Sequence, residues 1–296
     1  MDFLSVIVAN YNNAPYLRDC LDSILQQSFK DLEVICADDG STDGSPDIIR
    51  EYAERYPDIF RAIFSTENRG VAITRHDAIL KAQGAYLTTL DSDDYYCDTR
   101  KLETEMRLVR QCRETEHQDI LAYSHVVLVD GDKRRSGVRR ESAPVREGFI
   151  FEDLITRSCM IPRDFVMNRQ AYFAAGGYDF SLATHEDWDL KIRLSRICPF
   201  RCTGISGTAY RRNPAGLSRL PFAQRADNLW RVFCKNLRLA PDAVKPALKK
   251  KFLLFMGQQC RANILILLAT RKARCLGEAL TVLSAHVKWR ARLSFI

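Results

Sequence analysis

Three short polar clusters carry the residue types that chemistry needs, and each follows an apolar run. Asp91-Ser92-Asp93-Asp94 places three carboxylates within four residues, directly after residues 86–90. Carboxylates that close repel one another unless a cation compensates them. An all-oxygen donor set suits Mg²⁺ or Mn²⁺, which could at the same time hold a diphosphate. Asp38-Asp39-Gly40-Ser41-Thr42-Asp43 follows residues 32–37, and Asn10-Tyr11-Asn12 follows residues 4–9. Each cluster alone is more often a turn or a helix cap, because Asp, Gly and Ser favour both. Farther along, Glu186-Asp187 opens an amphipathic stretch with Trp188, Ile192 and Leu194 as its apolar members. Arg75 is a candidate partner for phosphate charge.

The elements that would position these residues alternate. Strands are expected at 4–9, 32–37, 60–64 and 86–90, with helices at 15–27, 45–56 and 71–82 between them. Strand and helix alternating at this spacing predict an α/β fold, a mostly parallel sheet flanked by helices. In such sheets ligands bind at the carboxyl ends of the strands, so the three clusters converge on one edge, which coincidence does not readily produce. A helix at 100–113, a strand at 120–129, a surface loop at 130–147 and a helix at 186–196 complete the first part. Beyond Asn213-Pro214-Ala215-Gly216 the patterns are helical alone. Two regions follow: a catalytic domain at 1–219 and an all-helical extension at 220–296.

Charge divides the chain the same way. The extension carries fifteen Lys and Arg against Asp227, Asp242 and Glu278, whereas the rest holds 29 basic and 34 acidic residues. A basic extension points to an anionic surface, with a solvated helical face as the competing explanation. The ten cysteines lack metal-ligand spacing and read as reduced core residues, as Cys36 does in Val-Ile-Cys-Ala. Neither GxxxxGK[ST] nor GxGxxG occurs, which argues against P-loop enzymes, kinases and dehydrogenases. The first residues lack the features of a signal peptide. The apolar run at 252–270 is interrupted by Gln258, Gln259, Arg261 and Asn263, so a membrane span is not expected.

Taken in order, Val-Ile-Val-Ala-Asn-Tyr-Asn, Ala-Asp-Asp-Gly-Ser-Thr-Asp, Asn68-Arg69-Gly70 with Arg75, and Asp91-Ser92-Asp93-Asp94 resemble glycosyltransferase family 2, of GT-A fold. Gly176-Gly177-Tyr178-Asp179, then His185-Glu186-Asp187-Trp188-Asp189-Leu190 with Arg193, and Tyr210-Arg211-Arg212 are similar to later segments of that family. The resemblance spans residues 3 to about 218. It implies an inverting glycosyltransferase of hexosyltransferase type, using a nucleotide sugar, with UDP favoured, and Mn²⁺ or Mg²⁺. Ala9, Asn10, Tyr11, Asp38, Asp39, Asn68, Arg75, Asp91 and Ser92 would bind the donor, Tyr11 stacking on uracil and Asp39 accepting its N–H. Arg75 would lie along the diphosphate or the base edge. Asp93, with Asp91, would ligate the metal. Asp187 would be the base, Glu186 would position acceptor or sugar, and Trp188 and Arg211 would meet the acceptor. Two positions depart from the family's pattern: His76 stands where Asn is common, and Asn213 near where a His is common. His76 reads as a packed helix residue.

The implied acceptor is a glycan or lipid-linked hydroxyl in cell-surface polysaccharide synthesis. The implied location is the cytoplasm, peripheral on the inner face of its membrane, with no nucleic acid partner. The extension would either rest on anionic lipid or pack on the catalytic domain or a second copy in a homodimer. A nucleotidyltransferase is the nearest rival enzyme, but Asn10-Tyr11-Asn12-Asn13-Ala14-Pro15 supplies no Gly-rich basic loop. A non-catalytic sugar-nucleotide binding module would not need Asp187.

Overall fold

In the computed structural model, which describes residues 3–131, 133, 145–212 and 222–269, the apolar runs become β1 (Leu4–Asn10), β2 (Leu32–Asp38), β3 (Phe60–Phe64) and β4 (Tyr86–Asp91). They lie parallel in the order β3-β2-β1-β4. Between them run α1 (Ala14–Leu25), α2 (Ser45–Arg55) and α3 (Val71–Lys81). After β4 come β5 (Tyr95–Tyr96), α4 (Lys101–Glu116), β6 (Leu121–Val129) and α5 (Phe151–Ile155). Next are β7 (Met167–Asn168), which joins β4 antiparallel, α6 (Arg169–Ala174), α7 (Glu186–Leu194) and β8 (Phe200–Arg211). A second sheet has the order β5-β8-β6, with irregular register between Tyr123 and Val126.

Side chains alternate across a strand, so each central strand feeds two cores. Val6, Val8, Val34 and Cys36 face Leu17, Leu21, Ile49 and Met106 of α1, α2 and α4. Ile7, Ile35, Ala37 and Leu87 belong to the opposite cluster with Ala78 and Ile79 of α3. Burial on both faces explains why β1 and β2 read as continuous apolar runs rather than alternating ones.

The extension shares that second core. In α8 (Phe222–Leu237), Phe222, Trp230 and Phe233 are buried, and in α9 (Lys245–Ala269), Leu248, Phe252, Met256 and Cys260 recur every four residues on one buried stripe. Phe252 stacks on Phe233 with centroids 3.9 Å apart and lies over Trp188 of α7 at 6.4 Å. Up to residue 263 these helices therefore pack on the α/β unit. Most of the expected loop at 130–147, the boundary at 219/220, Asn213 and the basic end after 269 lie outside the described residues.

Candidate active site

Strand register builds the site's floor. Asn10 stands beside Asp38, and Ala9 beside Asp91. Asn10 is buried and donates to Asp38 at 2.8 Å, while Ser41 donates to the same carboxylate from its N–H and its hydroxyl at 2.9 and 2.6 Å. Asp38 therefore organises the turn after β2. Gly40 in that turn has φ +74°, and a Cβ there would meet the Glu67 carbonyl carbon at 2.7 Å, so a side chain is doubly disfavoured. The two oxygens of Asp39 accept the N–H groups of Arg69 and Gly70, both at 2.9 Å, which caps α3 with a negative charge. Each oxygen retains a second lone pair. Tyr11, 45% exposed, and the exposed Asn68 stand on the open side, and Ser92 accepts from Asn13 at 2.9 Å.

The carboxylates after β4 sit among cations. Asp91 bonds the Arg75 guanidinium through Oδ1 and the Arg163 guanidinium through Oδ2, the latter at 2.6 Å. Arg75 is not laid open along a diphosphate: it is buried and bridges Asp91 to Glu186, at 2.7 Å from the latter. Glu186 likewise faces inward. Asp94 accepts the Arg211 N–H at 2.8 Å and lies 3.3 Å from Arg163. Burial works against ionisation of Asp91, yet the Arg163 and Arg75 guanidiniums hold its carboxyl below the usual range. Burial pushes Asp94 well above that range despite Arg163. Burial also raises Glu186, with Arg75 opposing. Donor oxygens of Asp91, Asp93 and Asp94 all lie within 4.8 Å of one another. Three hard, close-set oxygen donors fit a Mg²⁺ or Mn²⁺ ion.

Asp187, one residue into α7, keeps a side chain 31% exposed and bonds Lys191 one turn later at 2.8 Å. Burial opposes its ionisation, but Lys191 draws its carboxyl far below the usual range. His185 before α7 has φ +67°, and within the helix Glu186 is buried while Asp187 stays part-exposed. His76 is the packed helix residue the sequence implied, bonded to the Tyr172 hydroxyl at 2.8 Å and edge-on to Phe180.

Two expectations for the acceptor side are corrected. Trp188 is 3% exposed, and its indole N–H donates to the Leu154 carbonyl at 2.7 Å, because α9 covers that face of α7. Arg211 is buried too, bonded to Asp19 at 2.8 Å and held against the rings of Tyr16 and Tyr95. Neither side chain is placed to meet an acceptor. Conversely, the sequence reading passed over Arg163 and Lys191. Lys191 carried a signal, four residues after a carboxylate on an expected helix. Arg163 carried none, since 72 residues separate it from Asp91 and only the fold joins them.

Comparison with known proteins decides the family. The model described as glycosyl transferase family 2 matches residues 5–172, more than half of the chain. The chain belongs to glycosyltransferase family 2. Its catalytic unit has the GT-A architecture that membership implies, as two solved structures show. One is S. aureus TarS 1-349 in complex with UDP-GlcNAc, with a TM-score of 0.70 and 16% identity, covering 97% of this chain and 81% of that one. The other is mannosyltransferase PcManGT from Pyrobaculum calidifontis in complex with GDP-Man and Mn²⁺, with a TM-score of 0.62 and 20% identity, covering 99% and 78%. At such identities the likeness concerns fold alone. Among sequence relatives, the putative teichuronic acid biosynthesis glycosyltransferase TuaG of Bacillus subtilis is 38% identical over 110 residues, 37% of this chain. The matched stretch spans 43% of TuaG and 33% of a Mycobacterium tuberculosis relative, so the chain corresponds to under half of either.

Proposed function

We propose that this glycosyltransferase is inverting and metal-dependent, and that it moves a hexose from a UDP-sugar to an acceptor hydroxyl during cell-surface polysaccharide or lipid-linked glycan synthesis. The observation that carries the reading is Asp187: a part-exposed carboxylate on the rim of a site whose floor is the Asp91, Asp93 and Asp94 cluster. An acceptor hydroxyl becomes a competent nucleophile as a carboxylate takes its proton, the role assigned to Asp187. Arg75 ties Glu186 to Asp91 and so sets the spacing between base and floor. One carboxylate base and a leaving group on the opposite side of the anomeric carbon give a single displacement with inversion. Asp93, with Asp91 or Asp94, would hold the divalent ion, whose charge would stabilise the departing diphosphate.

For the donor, Tyr11 offers an exposed ring for uracil, and Asp39 has lone pairs for its N–H. The solved relatives support a nucleotide sugar in general, TarS with UDP-GlcNAc and PcManGT with GDP-Man. TuaG supports a surface polysaccharide product. The solvent side of α9, with exposed Lys250, Lys251 and Leu254, supports a peripheral position on an anionic membrane surface, near a lipid-linked acceptor.

The deciding experiment offers UDP-, GDP- and dTDP-sugars with Mn²⁺ or with EDTA, follows product anomer by NMR, and compares Asp187→Asn and Asp93→Ala with wild type. Transfer from a UDP-sugar with inverted anomer is expected. Asp187→Asn should abolish transfer with donor affinity within a few-fold, and Asp93→Ala should lose metal-dependent UDP binding. Full activity in EDTA, or near-normal transfer by Asp187→Asn, contradicts the reading.

A further inference from the structure

Resting on the metal reading above, we infer that Arg163 is an internal counter-cation that a divalent ion must displace from Asp91 and Asp94. The same two carboxylates serve both. Arg163 reaches Asp91 Oδ2 through Nη1 at 2.6 Å and Asp94 Oδ2 through Nη2 at 3.3 Å, and these residues contribute two of the three donor sets in the cluster. The opposite oxygens are already engaged, Asp91 Oδ1 by Arg75 and Asp94 Oδ1 by the Arg211 N–H. An ion entering between the carboxylates therefore meets the oxygens that Arg163 holds.

Arg163 is also built to leave. Its side chain is 35% exposed, whereas that of Arg75, the fixed partner of Asp91, is 4% exposed. The main chain of residue 163 is anchored independently of the guanidinium. Its N–H donates to the Tyr210 hydroxyl at 2.9 Å, and its carbonyl accepts from Thr89 at 3.0 Å. Tyr210 is pinned in turn to Asp164 at 2.7 Å. The guanidinium lies over the Tyr210 ring at 4.7 Å, and its Nε has no hydrogen-bond acceptor among the described residues. A stacked, part-exposed guanidinium on a fixed backbone can swing without disturbing β4. The site thus takes up an ion weakly by itself, because ion binding breaks two charge-assisted bonds.

The test titrates Mn²⁺ alone into the protein and reads free Mn²⁺ by electron paramagnetic resonance, with folding confirmed by circular dichroism. Arg163→Met should bind Mn²⁺ about tenfold tighter than wild type, since a full positive charge leaves the cluster. Arg163→Lys, which keeps the charge but cannot bridge two carboxylates, should fall between them and guards against a misfolded Met variant. Arg50→Met, which removes an exposed guanidinium paired with Asp47, should bind as wild type does. Equal or weaker Mn²⁺ binding by both Arg163 variants, with Asp93→Ala still losing it, overturns the inference and leaves the metal reading standing. No binding by wild type or any variant overturns both.

Discussion

Lys191 bonds Asp187 at 2.8 Å and the Ile161 carbonyl at 2.9 Å, so the proposed base is tied to an ammonium that is itself nearly buried. Such a base stays ionised over a wide pH range but accepts a proton less readily than an ordinary carboxylate. Lys191→Met should let the Asp187 pKa rise. The proposed role needs Asp187 ionised, so the acid limb of kcat/KM then moves to higher pH, by roughly one unit or more. Lys191→Arg should keep the limb near its wild-type position. A pH–rate profile checks this, and superimposable profiles for wild type and Lys191→Met would show that Lys191 merely packs. The stability effect has a matching sign. A carboxyl held low contributes stability that is present above its unfolded pKa and lost as pH falls through the folded value, so the variant's deficit is largest near neutrality.

At the scale of elements, α7 joins chemistry to packing. Its first turn bears Glu186 and Asp187, and Trp188 on the same turn is clamped between the Leu154 carbonyl and Phe252 of α9. Phe252 is wholly buried against Phe233, Trp230 and Trp188. Phe252→Ala should cost about 3–5 kcal/mol in urea unfolding, the range for a large aromatic removed from a core that collapses incompletely. A loss under about 1 kcal/mol would mean that α9 is only loosely applied to the catalytic unit.

For the whole molecule, the basic extension raises the question of what it rests on. Among the described residues no helix is long and apolar enough to cross a membrane. Ending the chain at residue 219 would strip Phe222, Trp230, Phe233 and Phe252 from the shared core, so truncation would report on folding instead. Charge reversal on the outer face of α9 avoids this. Lys250→Glu with Lys251→Glu should abolish flotation with anionic liposomes at low salt, while transfer to a soluble acceptor and the melting temperature stay close to wild type. Undiminished flotation of the double variant, or none by the wild type, would remove α9 from membrane contact.

Several elements were legible in the residues themselves: the first four strands, the helices between them, and the polar clusters at their ends. A strand buried on both faces must be apolar throughout, and the residue after it must be polar if it lines a crevice, so local composition determined where β1, β2 and β4 end. The Glu186-Asp187 start of α7 was legible for the same reason. The 12-residue β8 (Phe200–Arg211) was not, because Phe-Arg-Cys-Thr-Gly-Ile-Ser-Gly-Thr-Ala-Tyr-Arg lacks a steady alternation and pairs with β6 through a break in register. Only the tertiary structure decided which polar residues face one another. It turned Arg75 inward to Glu186, brought Arg163 onto Asp91, and buried Trp188 and Arg211. Burial and charge pairing depend on what another segment places opposite a side chain, and the spacing along one chain does not contain that information.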